Sequence, residues 1–176
     1  MGDRLKWGIL GTADISESVI PAIQGSRGCI VTAVASRDPS RARTWADRFG
    51  IPDAFGAYDD MIRSGAIDAV YLPLPNSLHA EWTVRSLEAG LPVMCEKPLT
   101  VNAAEARVVA EVSRRTGLPV MEGFMYRFHP LYQRLQEIID RGTIGRVSTI
   151  DAVFTFLLDD GESIVQSVDL AGGALL

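Results

Sequence analysis

Short, continuously apolar runs alternate with amphipathic stretches of helical period along most of this chain, and nothing else in it limits the fold as strongly. The runs are Leu5–Leu10, Cys29–Ala35, Ala54–Phe55, Ala69–Leu72, Val93–Cys95 and Val120–Met121. They do not alternate apolar with polar, so both faces of each strand are expected to be covered. Strands of that kind, separated by helices, predict repeated βαβ units and a parallel sheet wound in both directions.

The intervening helices have legible ends. Asp38 caps a helix that begins with Pro39 and stops at Gly50. A second spans His79 to Ala89, with Ala80, Val84 and Leu87 on one face and Gly90 after it. Asn102 and Glu105 have the spacing of a capping box, opening a helix to about Thr116. Pro21 is expected to kink or restart the first helix. Beyond Met121 the pattern changes to an aromatic and basic stretch, Gly123 to Pro130, with Pro130 opening a helix through Arg141. Arg146 to Leu157 then alternates in part and predicts a long strand of a half-exposed sheet. The resulting division is a Rossmann-type domain over 1–123 and the start of a second α/β domain over 124–176.

Composition narrows the partners. Across 176 residues, 47% are hydrophobic and 22% charged, with a net charge of −5 and no block of one sign. Neither nucleic acid nor a membrane surface is favoured by that distribution. Two cysteines (Cys29 and Cys95) and two histidines (His79 and His129) lie too far apart to form a metal-ligand pattern. No apolar run approaches the ~18 residues of a membrane span, and Met1 to Arg4 leads straight into a strand, so a cytoplasmic protein is expected.

Four constellations fall at the C-terminal ends of predicted strands. After the first strand comes Gly11-Thr12-Ala13-Asp14-Ile15-Ser16, a relaxed dinucleotide fingerprint in which small residues let the backbone approach a pyrophosphate. After the second, Ser36, Arg37 and Arg41 occupy the place where an NAD site carries a carboxylate for the ribose. A hydroxyl and two guanidiniums suit a 2′-phosphate, so NADP is expected over NAD. Asp38 competes for that ribose but reads better as the helix cap. After the fourth strand, Pro73-Leu74-Pro75-Asn76 makes a rigid segment, with Asn76 able to cap the next helix and bind a ligand, and His79 follows. After the fifth comes Glu96-Lys97-Pro98. The chain has two lysines against fifteen arginines, which sets Lys97 apart from generic surface charge. A Lys can shift its pKa and hand over a proton, which Arg does not. A plain strand-end salt bridge is the competing explanation.

Taken in order, Trp7 to Ala13, Ala35 to Arg37, Pro75 to His79, Ala89-Gly90, Glu96 to Pro98 and Met125 to Pro130 resemble the Gfo/Idh/MocA oxidoreductase family over residues 5 to about 157. Within it the chain is most similar to the NADP-dependent branch of D-xylose and dihydrodiol dehydrogenases. The resemblance implies a Rossmann domain followed by an α/β substrate domain. It implies hydride transfer between NADP and a secondary alcohol or sugar carbon, with Lys97 as the catalytic residue and Pro98 often on a cis peptide. Gly11, Thr12, Ala13 and Ile15 would line the pyrophosphate, and Ser36, Arg37 and Arg41 the 2′-phosphate. Leu74, Pro75, Asn76 and His79, with Glu96 and Lys97, would lie along the nicotinamide half.

The segment Gly172 to Leu176 resembles family sequence that is followed by an Asp-x-Gly-x-Tyr/His stretch. The chain is therefore expected to be a truncated family member, inactive alone and associating through its 147–157 strand. The alternative is a non-catalytic NADP-binding module.

Overall fold

The computed structural model describes residues 4–153, 155 and 167–172. Six strands form one parallel sheet: β1 (Leu5–Leu10), β2 (Cys29–Ala35), β3 (Asp53–Phe55), β4 (Ala69–Leu72), β5 (Val93–Cys95) and β6 (Val120–Glu122), in the order β3-β2-β1-β4-β5-β6. The order reverses between β1 and β4, the point at which an open α/β sheet leaves a crevice beyond its strand ends.

Alternate residues of the same strands feed two cores, as the period of two requires. On one face Ile9, Val31, Val34 and Tyr71 pack with Ile20 and Ile23 of α1 (Ser16–Gly25) and Trp45 of α2 (Pro39–Phe49). On the other, Leu10, Val70, Leu72 and Cys95 pack with Met61 of α3 (Tyr58–Ile62), Leu87 of α4 (His79–Glu88) and Val112 of α5 (Ala103–Thr116). This is the two-sided cover that the continuously apolar runs predict.

Helix ends follow the expected chemistry. The Asp38 carboxylate accepts from the Ser40 and Arg41 amides at 2.8 and 3.3 Å, and Gly50 closes α2 at φ 65°. Asn102 accepts from the Glu105 amide at 2.9 Å, while the Glu105 carboxylate reaches back to the Val101 amide at 3.2 Å, one residue earlier than a standard capping box.

Three expectations are corrected. The first helix does not restart at Pro21 but runs through it to Gly25; only one donor is lost there, and Ile20 and Ile23 on either side are buried. The buried face of α4 is His79, Thr83, Ser86 and Leu87, with Ala80 and Val84 only half-buried. Residues 147–153 and 155 form no strand. A strand exists by pairing, and none of the strand pairs among the described residues includes this segment; positions 154, 156 and 157 lie outside the described residues. The strand expected to carry association between copies is therefore missing from what is described.

The residues divide into two compact units, with the boundary at Gly123/Phe124. Residues 167–172, assigned from sequence to the second unit, group with the first: Asn76 Nδ2 donates to the Ala171 carbonyl at 2.7 Å. The second unit carries α6 (Pro130–Asp140), capped by His129 Nδ1 accepting from the Leu131 amide at 3.1 Å. Tyr126 there packs against Phe124 and Tyr132 with ring centroids 5.5 and 5.0 Å apart.

Candidate functional site: a cleft at the sheet reversal

Beyond the C-terminal ends of β1, β2 and β4 lies a cleft of about 450 Å³. It gathers Gly11, Thr12 and Ala13 from the turn after β1, Ser36, Arg37 and Arg41 from the β2–α2 turn, and Leu74 and Pro75 from the turn after β4. Eight of the residues singled out from sequence thus share one wall-to-wall space. Asp14, Asp38, Tyr58 and Pro73 complete the lining. Tyr58 had no signal in the sequence; it arrives as the first residue of a five-residue helix on the far side of β3.

The turn after β1 is shaped to receive an anion. Gly11 is buried at φ 123°, and its amide donates to the Ala35 carbonyl at 3.0 Å, tying the turn to the end of β2. A Cβ at Gly11 would meet Leu74 Cδ2 at 2.9 Å. No side chain caps α1. Among the described residues, the amides of Thr12, Ala13, Asp14 and Ile15 find no acceptor in the protein, and the buried Ser16 hydroxyl has no partner. Such free N–H groups at the positive end of a ten-residue helix are what a phosphate satisfies. The residues present therefore fit a dinucleotide.

Arg41 crosses from α2 and donates to the Thr12 carbonyl at 2.8 Å, so part of its guanidinium braces the turn. Arg37 is exposed, and among the described residues neither arginine forms an ion pair. Ser36 is buried, its oxygen accepting from the Asp38 amide at 3.2 Å. The Ser40 hydroxyl, with the Arg41 and Ser40 amides, holds the Asp38 carboxyl below its usual range, in keeping with its capping role.

The other expected site residues lie elsewhere. Ile15 is an exposed residue at the start of α1, outside the cleft lining. Asn76 opens a single 3-10 turn, and its side chain donates to Ala171 rather than capping that turn. His79 is wholly buried, both ring nitrogens facing carbonyl oxygens, and is not among the residues that line the cleft. Glu96 accepts from the Tyr71 hydroxyl at 2.9 Å at the end of β5. Lys97 is exposed, joined to Pro98 by a cis peptide, and makes no ion pair among the described residues. The salt-bridge explanation of Lys97 thus finds no partner there.

Beneath this end of the sheet, burial pushes the Cys95 thiol up to about 12, helped by the Glu96 and Glu122 carboxylates against a pull from the Thr83 hydroxyl. Burial, then Glu96, likewise raises the Tyr71 phenol. The unfolded thiol ionises near 9.0, so above that pH the unfolded chain loses a proton that the native chain keeps. Stability is then expected to fall as pH rises from about 9 toward 12. Denaturant midpoints measured across that range should drop for the native sequence and drop less for Cys95→Ala; parallel curves would contradict the assignment.

Comparison with known proteins places these features among relatives. Residues 5–124 match the Gfo/Idh/MocA oxidoreductase family, described by its NAD-binding Rossmann fold. A D-xylose 1-dehydrogenase (NADP(+)) of Haloferax volcanii is 45% identical over 174 residues, covering 98% of this chain and 53% of that protein. A trans-1,2-dihydrobenzene-1,2-diol dehydrogenase of Mus musculus is 35% identical over 177 residues, covering 98% and 52%. The chain thus spans about half the length of the curated relatives it matches. Among solved structures, a 3-ketoreductase from Actinomadura kijaniata in complex with TDP-benzene and NADP, in an open conformation, superposes with a TM-score of 0.75. It is 38% identical, covering 80% of this chain and 44% of the other.

Proposed function

This chain belongs to the Gfo/Idh/MocA oxidoreductase family, and from that premise we propose that it binds NADP in the cleft at the sheet reversal and serves its reaction with a secondary alcohol or sugar carbon. The observation that carries the proposal is the joint placement of a free helix N-terminus with Ser36, Arg37 and Arg41 in one cleft. The turn after β1 takes the pyrophosphate on the unpartnered amides of Thr12 to Ile15. Ser36, Arg37 and Arg41 take the 2′-phosphate, where a carboxylate would instead repel it. The neighbours in sequence and structure named above, two of which carry NADP in their names, support this choice of cofactor.

The cofactor, when bound, supplies the hydride chemistry. The chain's part is to hold it, to orient its reactive half beyond β4 and β5, and to provide a proton route at the Lys97 ammonium. Leu74 and Pro75 line the cleft from the turn after β4. The division at Gly123 into a dinucleotide-binding unit and the beginning of a substrate domain belongs to the same proposal, as does a cytoplasmic setting. Both cysteines are free thiols, and no helix among the described residues is long and apolar enough to cross a membrane.

Calorimetry with NADP and NAD tests the cofactor assignment. NADP should bind at least about tenfold tighter, one charge-assisted contact being worth ~1.5–3 kcal/mol. Arg37→Ala should remove that much from NADP binding and little from NAD binding. Arg37 is the cleaner choice, because Arg41 also braces Thr12. Equal affinity for the two dinucleotides would overturn the assignment.

A further inference from the structure

His79 occupies a place that neither capping nor ligand binding explains. The ring is wholly buried, with Nε2 2.6 Å from the Leu74 carbonyl and Nδ1 2.6 Å from the Pro98 carbonyl. Leu74 belongs to the cleft wall after β4; Pro98 follows Lys97 after β5. One imidazole therefore stands between the turn that lines the cleft and the turn that carries the lysine, donating to one of the two carbonyls as a neutral ring and to both as an imidazolium.

The lysine turn is held from another side as well. Glu122 on β6 reaches across from the neighbouring strand, and its Oε1 accepts from the Leu99 amide at 2.8 Å. Glu96 Oε2 lies 3.4 Å from the Lys97 amide, a longer and weaker contact. Three consecutive residues, Lys97, Pro98 and Leu99, thus have a backbone group engaged by a side chain. The Lys97 ammonium is left out of this network, exposed and without an ion pair among the described residues. Fixing this backbone sets the point and direction from which the Lys97 stem leaves the turn, the part of its placement that does not depend on the side chain's own torsions.

We infer that His79 and Glu122 are positioning residues that set where the Lys97 ammonium stands relative to the cleft, His79 by joining the two turns and Glu122 by anchoring the lysine turn alone. The inference rests on the reading of Lys97 as the proton-transferring group beside NADP. It separates the two residues by consequence. Loss of Glu122 disturbs only the lysine turn, whereas loss of His79 also frees a cleft carbonyl.

The chain's two lysines, Lys6 and Lys97, give a direct readout. Reductive methylation with 13C-formaldehyde keeps the charge and gives each lysine its own NMR signal. In the native chain, NADP should shift the Lys97 signal and leave Lys6 still. In Glu122→Ala, NADP affinity by calorimetry should stay within about twofold, while the Lys97 shift at saturation falls by half or more, a displacement of order 1 Å being enough to alter such contacts. His79→Gln should lose the Lys97 response and also weaken NADP several-fold. If His79→Gln does not fold, Glu122→Ala decides alone, its side chain lying on the edge strand. A Lys97 signal that answers NADP in the folded variants as it does in the native chain overturns the inference. If NADP fails to bind the native chain, the cofactor reading falls by itself. The Lys97 signals of the unliganded native and variant proteins then decide: altered positions support the positioning role, and identical ones refute it.

Discussion

In a complete homologous enzyme, replacing the lysine at the position of Lys97 by Met is expected to lower NADP-dependent turnover of a secondary alcohol by roughly 10²–10⁴-fold, the range for removing a positioned general acid or base. NADP affinity should stay near its native value, because Lys97 stands outside the cleft lining formed by the turns after β1, β2 and β4. That split separates a proton-transferring lysine from one that merely attracts phosphate, whose loss would weaken binding and leave the maximal rate. Arg at the same position should not rescue, since a guanidinium stays protonated throughout the working range. Undiminished turnover in the Met variant would return Lys97 to the status of a surface cation.

The second large effect is expected at Gly11. Its φ of 123° lies where a side chain is strained, and its amide is fixed on the Ala35 carbonyl. Gly11→Ala should cost ~1–3 kcal/mol of stability from the backbone alone. The added Cβ would also stand 2.9 Å from Leu74 Cδ2, and Leu74 is a buried core residue, so crowding adds to that figure. Binding should suffer more than folding. If the turn shifts enough to lose two charge-assisted contacts from the Thr12 to Ile15 amides, at ~1.5 kcal/mol each, NADP weakens about a hundredfold. Thermal denaturation and calorimetry on the same preparation measure both quantities. An Ala variant that binds NADP like the native chain would show that the turn does not receive the phosphates.

Much of this architecture is legible along the chain because its causes are local. A short apolar run, rich in β-branched residues and bounded by turn residues, reads as a covered strand, and Leu5–Leu10, Cys29–Ala35, Ala69–Leu72 and Val93–Cys95 are strands with those bounds. Asp38-Pro39 and Gly50 delimit α2 through interactions that span a few residues. The cleft residues were legible for a related reason. A phosphate-binding turn must follow a strand directly, and the sheet order then brings the ends of β1, β2 and β4 together.

What sequence reasoning misplaced depends on contacts between distant segments. The alternation in 147–153 resembles a strand, but strand formation requires a neighbouring chain, which no local pattern supplies. The rotation of α4 is a similar case. Periodicity favoured Ala80, Val84 and Leu87 as the inner face, yet His79, Thr83 and Ser86 lie inside with Leu87. The two carbonyls that receive the His79 ring, 5 and 19 residues away in sequence, fix the helix by its first residue. Nor does the sequence contain the pairing of Tyr71 with Glu96 or of Glu122 with the Leu99 amide.

The sequence by itself determined the six strands, the five longer helices, the parallel character of the sheet, and the chemical types gathered at the strand ends. Hydrophobic period, capping and turn chemistry act over a few residues and are written there in full. Only the tertiary structure decided which of the polar residues near those ends face the cleft and which do not line it but hold the turns in place. A buried polar group must find a hydrogen-bonding partner wherever the fold offers one, and that partner is set by packing rather than by spacing along the chain.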